Sequence, residues 1–290
     1  MRVWGKLLTG VLLLCAAGAT AQVPEIYSAA VQLSSFNLLF AKVTINDHQV
    51  LALVDFGSPH SIEISSSMAM KLGVQLSNVP VKTPAPENER PEFVEGPLQT
   101  GKIKTFGLGD FEARNVTVET TRDHIEKIAA RINASFDVIV GWGFFSKYDV
   151  LLDYKNSFLQ FSNQPFKFNS GKYHFGYAVK NGVPVIEGVH IDTMKTSFLF
   201  DTGAPMCNID VSIARFELPG ATVSKVIRIN QLSFEPIFRV MDLDIIKQSA
   251  GCTGVLGNNF LADYTVCINR AQKTIYLREN NADTSKTERE

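Results

Sequence analysis

Short apolar runs bounded by turn residues follow one another along most of the chain. Runs of this length, rich in β-branched residues, predict β-strands. Ser65–Val74 instead predicts a short helix, because a polar start precedes apolar residues at helical spacing and Gly73 lies near its end. Phe144–Tyr148 and Asn259–Tyr264 have the length of one or two helical turns. The pattern therefore predicts a mainly β protein with a few short helices. The clearest strand runs are Ala41–Ile45, Val50–Val54 and Ser197–Phe200.

The chain contains an internal repeat. Val43–Ser58 aligns without a gap on Val189–Ala204, and Val138–Phe161 aligns without a gap on Gly254–Leu277. Two ungapped blocks in the same order indicate a duplicated structural unit. We therefore expect two similar β-rich lobes, at about residues 31–163 and 171–278, followed by a polar, disordered tail at residues 279–290.

The first half carries an insertion relative to the second. Asp55 and Gly141 are 86 positions apart, whereas the equivalent Asp201 and Gly257 are 56 apart. Much of the excess lies in Val79–Pro97, whose proline and glutamate content favours an exposed loop over a buried strand. The rest is assigned to Thr121–Ile132, which is more helix-like.

Each half ends an apolar strand on a carboxylate. Asp55 and Asp201 are each followed two positions later by a glycine, Gly57 or Gly203. A desolvated carboxylate is costly unless something satisfies or uses it. If the halves pack about a pseudo-twofold axis, the two loops meet, and two carboxylates in contact share one proton. Such a pair can activate a water molecule with its ionised member and polarise a carbonyl with its protonated member.

These residues resemble the aspartic peptidases of the retropepsin and pepsin group. Asp201-Thr202-Gly203-Ala204 matches that group's D-[ST]-G-[AST] motif, and the block from Gly254 to Leu277 resembles its second signature. The resemblance implies an all-β fold of two β-barrel lobes related by a pseudo-twofold, a cleft between them, and a flap at about residues 80–105. It also implies the roles of the site residues: catalytic Asp55 and Asp201; loop-supporting Gly57, Ser58, Thr202, Gly203 and Ala204; and structural signature glycines Gly141 and Gly257.

One position departs from the family pattern. Phe56 stands where the family has Thr or Ser, whose hydroxyl bonds across to the opposite loop. Two hypotheses follow. The chain is an aspartic endopeptidase, or it is an inactive bilobal protein that binds peptides or proteins with the same fold. We also expect Ser58 to donate a hydrogen bond to Asp55, which would leave the shared proton on Asp201.

The N-terminus has the pattern of a secretory signal peptide. Arg2 and Lys6 flank an apolar run, and Ala19-Thr20-Ala21 forms a cleavage site, so we expect residues 1–21 to be removed and the protein to be exported to the periplasm or the extracellular space. Removing two of the 28 basic residues leaves 26 against 29 acidic ones, a formal charge of −3. That balance gives no indication of nucleic-acid binding.

Cofactor chemistry has little support in the sequence. The five histidines show no metal spacing, there is no C-x-x-C, and the G-x-G of Phe106–Phe111 lacks a third glycine. We expect no cofactor and no metal. After cleavage of the signal peptide we expect a monomer without a membrane span, and its partner should be a peptide or protein substrate. Cys207, Cys252 and Cys267 remain after cleavage, and either one disulfide with a leftover thiol or three small buried side chains fits them.

Overall fold

The computed structural model describes residues 25–79, 98–166, 168, 173–214 and 216–280, and the fold is mainly β. The strands of the first half are β1 (Ile26–Leu33), β2 (Leu39–Ile45), β3 (His48–Asp55), β4 (Ile62–Ile64), β5 (Ser77–Asn78), β6 (Gln99–Leu108), β7 (Phe111–Thr120), β8 (Val138–Gly141), β9 (Asp149–Asp153) and β10 (Phe158–Ser162). Those of the second half are β11 (Tyr173–Gly176), β12 (Ala178–Lys180), β13 (Val183–Ile191), β14 (Met194–Phe200), β15 (Cys207–Asp210), β16 (Thr222–Ser224), β17 (Ile227–Ile229), β18 (Leu232–Phe234), β19 (Ile237–Met241), β20 (Gly254–Leu256), β21 (Tyr264–Asn269) and β22 (Thr274–Glu279). The helices are α1 (Ser66–Lys71), α2 (His124–Arg131), α3 (Trp142–Phe145), α4 (Val211–Ala214), α5 (Asp244–Ala250) and α6 (Asn258–Leu261).

Each half builds a barrel-like sheet of its own. In the first half the order β2-β3-β8-β4-β7-β6 closes on itself, because β6 also pairs with β2. In the second half β16-β19-β15-β20-β14-β13-β17-β18 forms an open half-barrel. The predicted all-β class with two barrel lobes is confirmed.

A sheet shared by both halves joins the lobes. Its strands run in the order β11-β22-β21-β9-β10-β1, and the pairing of β9 with β21 crosses from one half to the other. β1 pairs with β10 through Ile26–Ala30 and with β2 through Val31–Leu33, which connects this sheet to the first barrel. The first lobe therefore begins before residue 31, earlier than the predicted boundary, and one continuous sheet contains strands of both lobes.

The same strand arrangement occurs in both lobes beside the Asp-x-Gly loops. β3 runs parallel to β8, which lies antiparallel to β4, and β14 runs parallel to β20, which lies antiparallel to β15. The strand that leads to each signature glycine therefore passes beside the strand that carries the carboxylate. This shared arrangement agrees with the duplicated structural unit that the repeat predicted.

The predicted short helices are present, with bounds that differ by one to three residues. Ser65 caps α1 by accepting a hydrogen bond from the Met68 backbone N at 3.1 Å, and α3 and α6 are the two expected short helices. α2 forms within the helix-like stretch at 121–132. α5 stands at the equivalent place in the second half and was not predicted, so assigning 121–132 to the insertion was wrong.

Several predictions fall outside the described residues. These are the signal peptide at 1–21, residues 80–97 of the expected flap, and residues 281–290 of the tail. The strands that flank 80–97 pair antiparallel, with Ser77 opposite Thr100. The start of the expected tail is structured, since β22 ends at Glu279 and the Asn280 backbone N donates to the Asp263 carbonyl at 2.9 Å. Within the described part of the chain, no helix combines the length and apolar character that crossing a membrane requires.

Candidate active site

The two Asp-x-Gly loops meet at the lobe boundary, and each glycine lies against the opposite carboxyl group. A Cβ built on Gly57 would be 2.5 Å from Asp201 Cγ, and one built on Gly203 would be 2.6 Å from Asp55 Oδ2. Such distances are too short for any side chain, so both positions need glycine for this close approach. The sequence-predicted pair of carboxylates is therefore brought together.

Backbone N–H groups hold both carboxylates in place. Asp55 Oδ1 accepts from Gly57 N at 2.8 Å and from Ser58 N at 3.1 Å. Asp201 Oδ1 accepts from Gly203 N at 2.7 Å and, across the lobes, from Gly57 N at 3.1 Å. The bond from Ser58 comes from its backbone rather than from the hydroxyl, whose oxygen accepts from His60 N at 3.4 Å.

The environment of the pair raises the pKa of both carboxyl groups. Desolvation by the surrounding protein is the main cause for each, and the pKa of Asp55 is raised well above its ordinary value by desolvation and then by the negative charge of Asp201. Asp201 receives donors from both loops, including Gly57 of the opposite loop, which stabilises its ionised form. These directions favour Asp55 as the carrier of the shared proton, whereas the sequence favoured Asp201.

This arrangement predicts that Asp55 makes the folded protein less stable as the pH rises. Its folded-state pKa lies above the ordinary value of 3.8, so its stabilising contribution is complete below that value and is lost as the pH rises through the folded-state pKa. Each unit of elevation corresponds to about 1.4 kcal/mol of unfolding free energy. Asp55→Asn should flatten the decline above about pH 4, measured by urea denaturation at each pH. Asp192→Asn, an exposed aspartate in a β-hairpin turn, should keep the wild-type slope; an equally steep slope in Asp55→Asn would refute the raised pKa.

Phe56 does not separate the loops, because its ring and its backbone face different partners. The ring is fully buried and packs on Trp142, Phe145 and Phe200, with ring centroids 5.4, 5.1 and 6.4 Å away. Its backbone N donates to Thr202 Oγ1 at 3.0 Å, and the Thr202 hydroxyl donates to the Val54 carbonyl at 2.8 Å. One of the two hydroxyl bridges between the loops is therefore intact.

The residue after each signature glycine supports the neighbouring loop in an equivalent way. Trp142 N donates to the Ser58 carbonyl at 2.8 Å, and Asn258 N donates to the Ala204 carbonyl at 2.9 Å. A Cβ on Gly141 would lie 2.8 Å from the Ser58 carbonyl oxygen. One on Gly257 would lie 2.7 Å from the Ala204 carbonyl oxygen. Gly141 and Gly257 are therefore needed where the two chain segments approach each other.

Sequence reasoning missed Asn258. Its fully buried side chain donates to the carbonyls of Thr202 and Asn37, both at 2.7 Å, and accepts from the Tyr154 hydroxyl at 2.7 Å. The repeat alignment did contain a signal, because Asn258 is the position equivalent to Trp142. Where the alignment pairs a polar residue with a large apolar one, the two side chains are expected to lie in different surroundings.

A small cavity opens beside the two aspartates. It has a volume of about 250 Å³ and includes Asp55 and Asp201 in its wall, with apolar side chains that include Val183, Leu199 and Ile246. The turn between β12 and β13 borders it, where the Asn181 side chain donates to the Ser249 carbonyl. The opening is therefore polar at the carboxylates and apolar beyond them.

Acidic side chains are also grouped away from this cavity. Among the described residues, ligand atoms of Asp210, Asp242 and Asp244 lie close enough together to hold a metal ion. Lys247 already forms ion pairs with this group, to Asp244 and, at 3.1 Å, to Asp210. The group lies on β15 and at α5 rather than in the Asp-x-Gly loops.

The three remaining cysteines are buried free thiols. Burial raises the pKa of Cys207, Cys252 and Cys267 to about 12. The structure therefore agrees with small buried side chains and shows no disulfide among them.

Comparison with known protein families gives a match within the first lobe. Residues 41–144 match the family model described as aspartyl protease. This segment runs from β2 to α3 and includes Asp55 and Gly141. No curated protein sequence matches the chain. The predicted relationship to the retropepsin-like aspartic peptidases is confirmed.

Proposed function

We propose that the protein is an aspartic endopeptidase that hydrolyses peptide bonds with a water molecule activated between Asp55 and Asp201. One observation carries the proposal: each loop's glycine lies against the other loop's carboxyl group, so the two raised-pKa carboxyl groups are held face to face. A family relationship to hydrolases of this type supports the same reaction class.

The proton positions give each carboxyl group a role. Ionised Asp201 takes a proton from the water as its oxygen attacks the peptide carbonyl, while protonated Asp55 donates to the carbonyl oxygen. The tetrahedral intermediate collapses when the C–N bond breaks, the amine leaves with a proton from Asp201, and the intermediate's hydroxyl returns a proton to Asp55. The products are a carboxylic acid and an amine, and both aspartates regain their starting states.

The cavity indicates how a substrate would be selected. Its volume of about 250 Å³ is below the usual range for whole small-molecule ligands, so it suits one side chain rather than a long segment. Its apolar wall favours an aliphatic or aromatic side chain next to the bond that is cleaved. Both aspartates lie on one chain, so we propose that a monomer is the active form.

A second candidate function is an inactive peptide-binding or protein-binding protein of the same fold. Phe56 favours it, since one of the two hydroxyl bridges of the family pattern is missing. The intact bridge from Thr202 and the reciprocal glycine contacts favour the peptidase.

We further propose that the chain is exported, and that it acts in the periplasm or the extracellular space after cleavage following Ala21. The N-terminal pattern of the sequence supports this location. Sequencing the N-terminus of the protein recovered from outside the cytoplasm tests it, and a mature chain that begins at Gln22 is expected.

Proteolysis of unfolded casein from pH 3 to 8 tests the reaction. The purified protein should cleave casein, with an optimum on the acidic side, and a pepstatin-type inhibitor should stop it. Absence of cleavage at every pH by protein shown to be folded would overturn the peptidase proposal and favour the binding protein.

A further inference from the structure

The two loops are bridged unequally. Thr202 reaches from the second lobe into the first with both its donor and its acceptor, but the Phe56 ring offers no bond in the opposite direction. In a symmetric pair, two hydroxyls would fix the distance between the loops. Here another group has to limit the movement of the Asp201 loop relative to the first lobe.

Asn258 makes cross-lobe bonds at the required place. Its Nδ2 donates both to the Thr202 carbonyl, next to Asp201, and to the Asn37 carbonyl of the first lobe. Its Oδ1 accepts from Tyr154, which follows the shared-sheet strand β9. A side-chain amide offers two N–H donors, and both are used. The amide therefore ties the Asp201 loop to two separate segments of the first lobe.

Tyr154 keeps its donor role at any pH at which a peptidase of this type would act. Desolvation, and then the negative charge of Asp201, hold the pKa of Tyr154 well above its ordinary value of 10.0. The Tyr154–Asn258 bond is therefore present whether or not the aspartates titrate.

The two halves differ in how the residue after the aspartate contacts the residue after the signature glycine. In the first half the loop residue Phe56 packs on Trp142, whereas in the second half Thr202 bonds to Asn258. One half uses an apolar contact and the other a hydrogen-bonded one. The loss of a hydroxyl at Phe56 thus coincides with a cross-lobe amide at the pseudo-symmetric position of Trp142.

We propose that Asn258, held by Tyr154, is a positioning residue that fixes the Asp201 loop against Asp55 in place of the missing Phe56 hydroxyl. The proposal rests on the proposed peptidase function, because it assigns Asn258 to the geometry of that catalytic pair. Asn258 is fully buried and bonds to the loop backbone, so its effect on hydrolysis is transmitted through Asp201.

Asn258→Leu tests the proposal, with Asn259→Leu as the matched control. Asn259 is the next residue of α6 and also bonds through its side chain, but its partners, Ile237 O and Cys207 N, both lie in the second lobe. For Asn258→Leu we expect kcat for a casein-derived peptide to fall about 10²-fold, as for a small displacement of a reacting group, with little change in KM. Asn259→Leu should lower stability without that fall in kcat.

Titration of the carboxyl groups gives a readout that does not need activity. The ¹³C carboxyl signals of Asp55 and Asp201, assigned with the Asp55→Asn variant, should titrate with two well-separated apparent pKa values in the wild type. In Asn258→Leu the separation should narrow, because a looser Asp201 loop raises the pKa of Asp55 less. In Asn259→Leu it should be unchanged.

The outcomes distinguish the two proposals. A folded Asn258→Leu with wild-type kcat and titration would overturn the positioning role, as would equal effects of both leucine variants. If the wild type cleaves nothing, but the two carboxyl pKa values lie closer together in Asn258→Leu than in the wild type, the peptidase function is overturned and the positioning role stands. If Asn258→Leu does not fold, Tyr154→Phe removes only one hydroxyl and should shift the titration and kcat in the same direction to a smaller extent. No shift in Tyr154→Phe would then refute the proposal.

Discussion

Replacing Asp201 by Asn is expected to abolish detectable hydrolysis of casein. Asp201 carries the negative charge of the pair and takes the proton from the attacking water, and an amide cannot accept it. Losing a positioned acid or base costs about 10²- to 10⁴-fold in rate, and here the same group also polarises the water. The measurement is kcat/KM for a peptide substrate from pH 3 to 8.

Asp55→Asn is expected to lose activity as well, but to retain more of it. The amide can still donate a hydrogen bond to the substrate carbonyl, as protonated Asp55 does, although it cannot transfer the proton. The double variant Asp55→Asn/Asp201→Asn should be no worse than Asp201→Asn alone, because residues that act as one unit are not additive. Asp192→Asn serves as the control: it is an exposed aspartate whose partner is Lys225 on the surface, and its activity should equal the wild type.

Retention of hydrolysis in Asp201→Asn would contradict the mechanism. Greater loss in Asp55→Asn than in Asp201→Asn would reverse the roles of the two carboxyl groups and return the proton to Asp201. In either case the pH profile identifies the change, since the acidic limb reports the group that must be ionised and the other limb the group that must be protonated.

Local features of the site could be predicted from the sequence because they repeat. The repeat alignment places Asp153 on Asn269, and the two form the same turn: each side chain accepts from the backbone N three residues later, Asn156 at 2.9 Å and Gln272 at 2.8 Å. These turns depend on residue types at fixed short spacing, which the alignment of the halves displays. The glycines at 57 and 203 follow in the same way from the loop chemistry.

Contacts between distant segments could not be predicted in this way. Asn258 bonds to Asn37, which is 221 positions away, and to Tyr154, which is 104 positions away. No periodicity relates such positions, because the shared sheet and the packing of the two lobes bring them together. The sequence also gave no sign that the Gly57 N–H crosses to Asp201 from the opposite loop, and that bond bears on which carboxyl group holds the shared proton.

Phe56→Thr, which restores the family's residue, is expected to destabilise the protein by about 3 kcal/mol. The Phe56 ring is fully buried among Trp142, Phe145 and Phe200, and truncating a buried phenylalanine removes apolar area and leaves a cavity. A threonine hydroxyl would add one hydrogen bond of about 1 kcal/mol, which does not offset that loss. Urea denaturation of the variant and the wild type at one pH gives the difference in unfolding free energy.

The control for this substitution is Phe216→Thr. Phe216 is 94% exposed, so the same chemical change there should alter stability by less than about 0.5 kcal/mol. If the ring of Phe56 is part of the core rather than an obstruction, the folded fraction of Phe56→Thr should hydrolyse casein no faster than the wild type. A variant that is as stable as the wild type and more active would show the opposite, namely that Phe56 holds the loops in a poor geometry. The inactive binding protein would then describe the native chain better, because Phe56 would prevent Asp55 and Asp201 from hydrolysing peptide bonds.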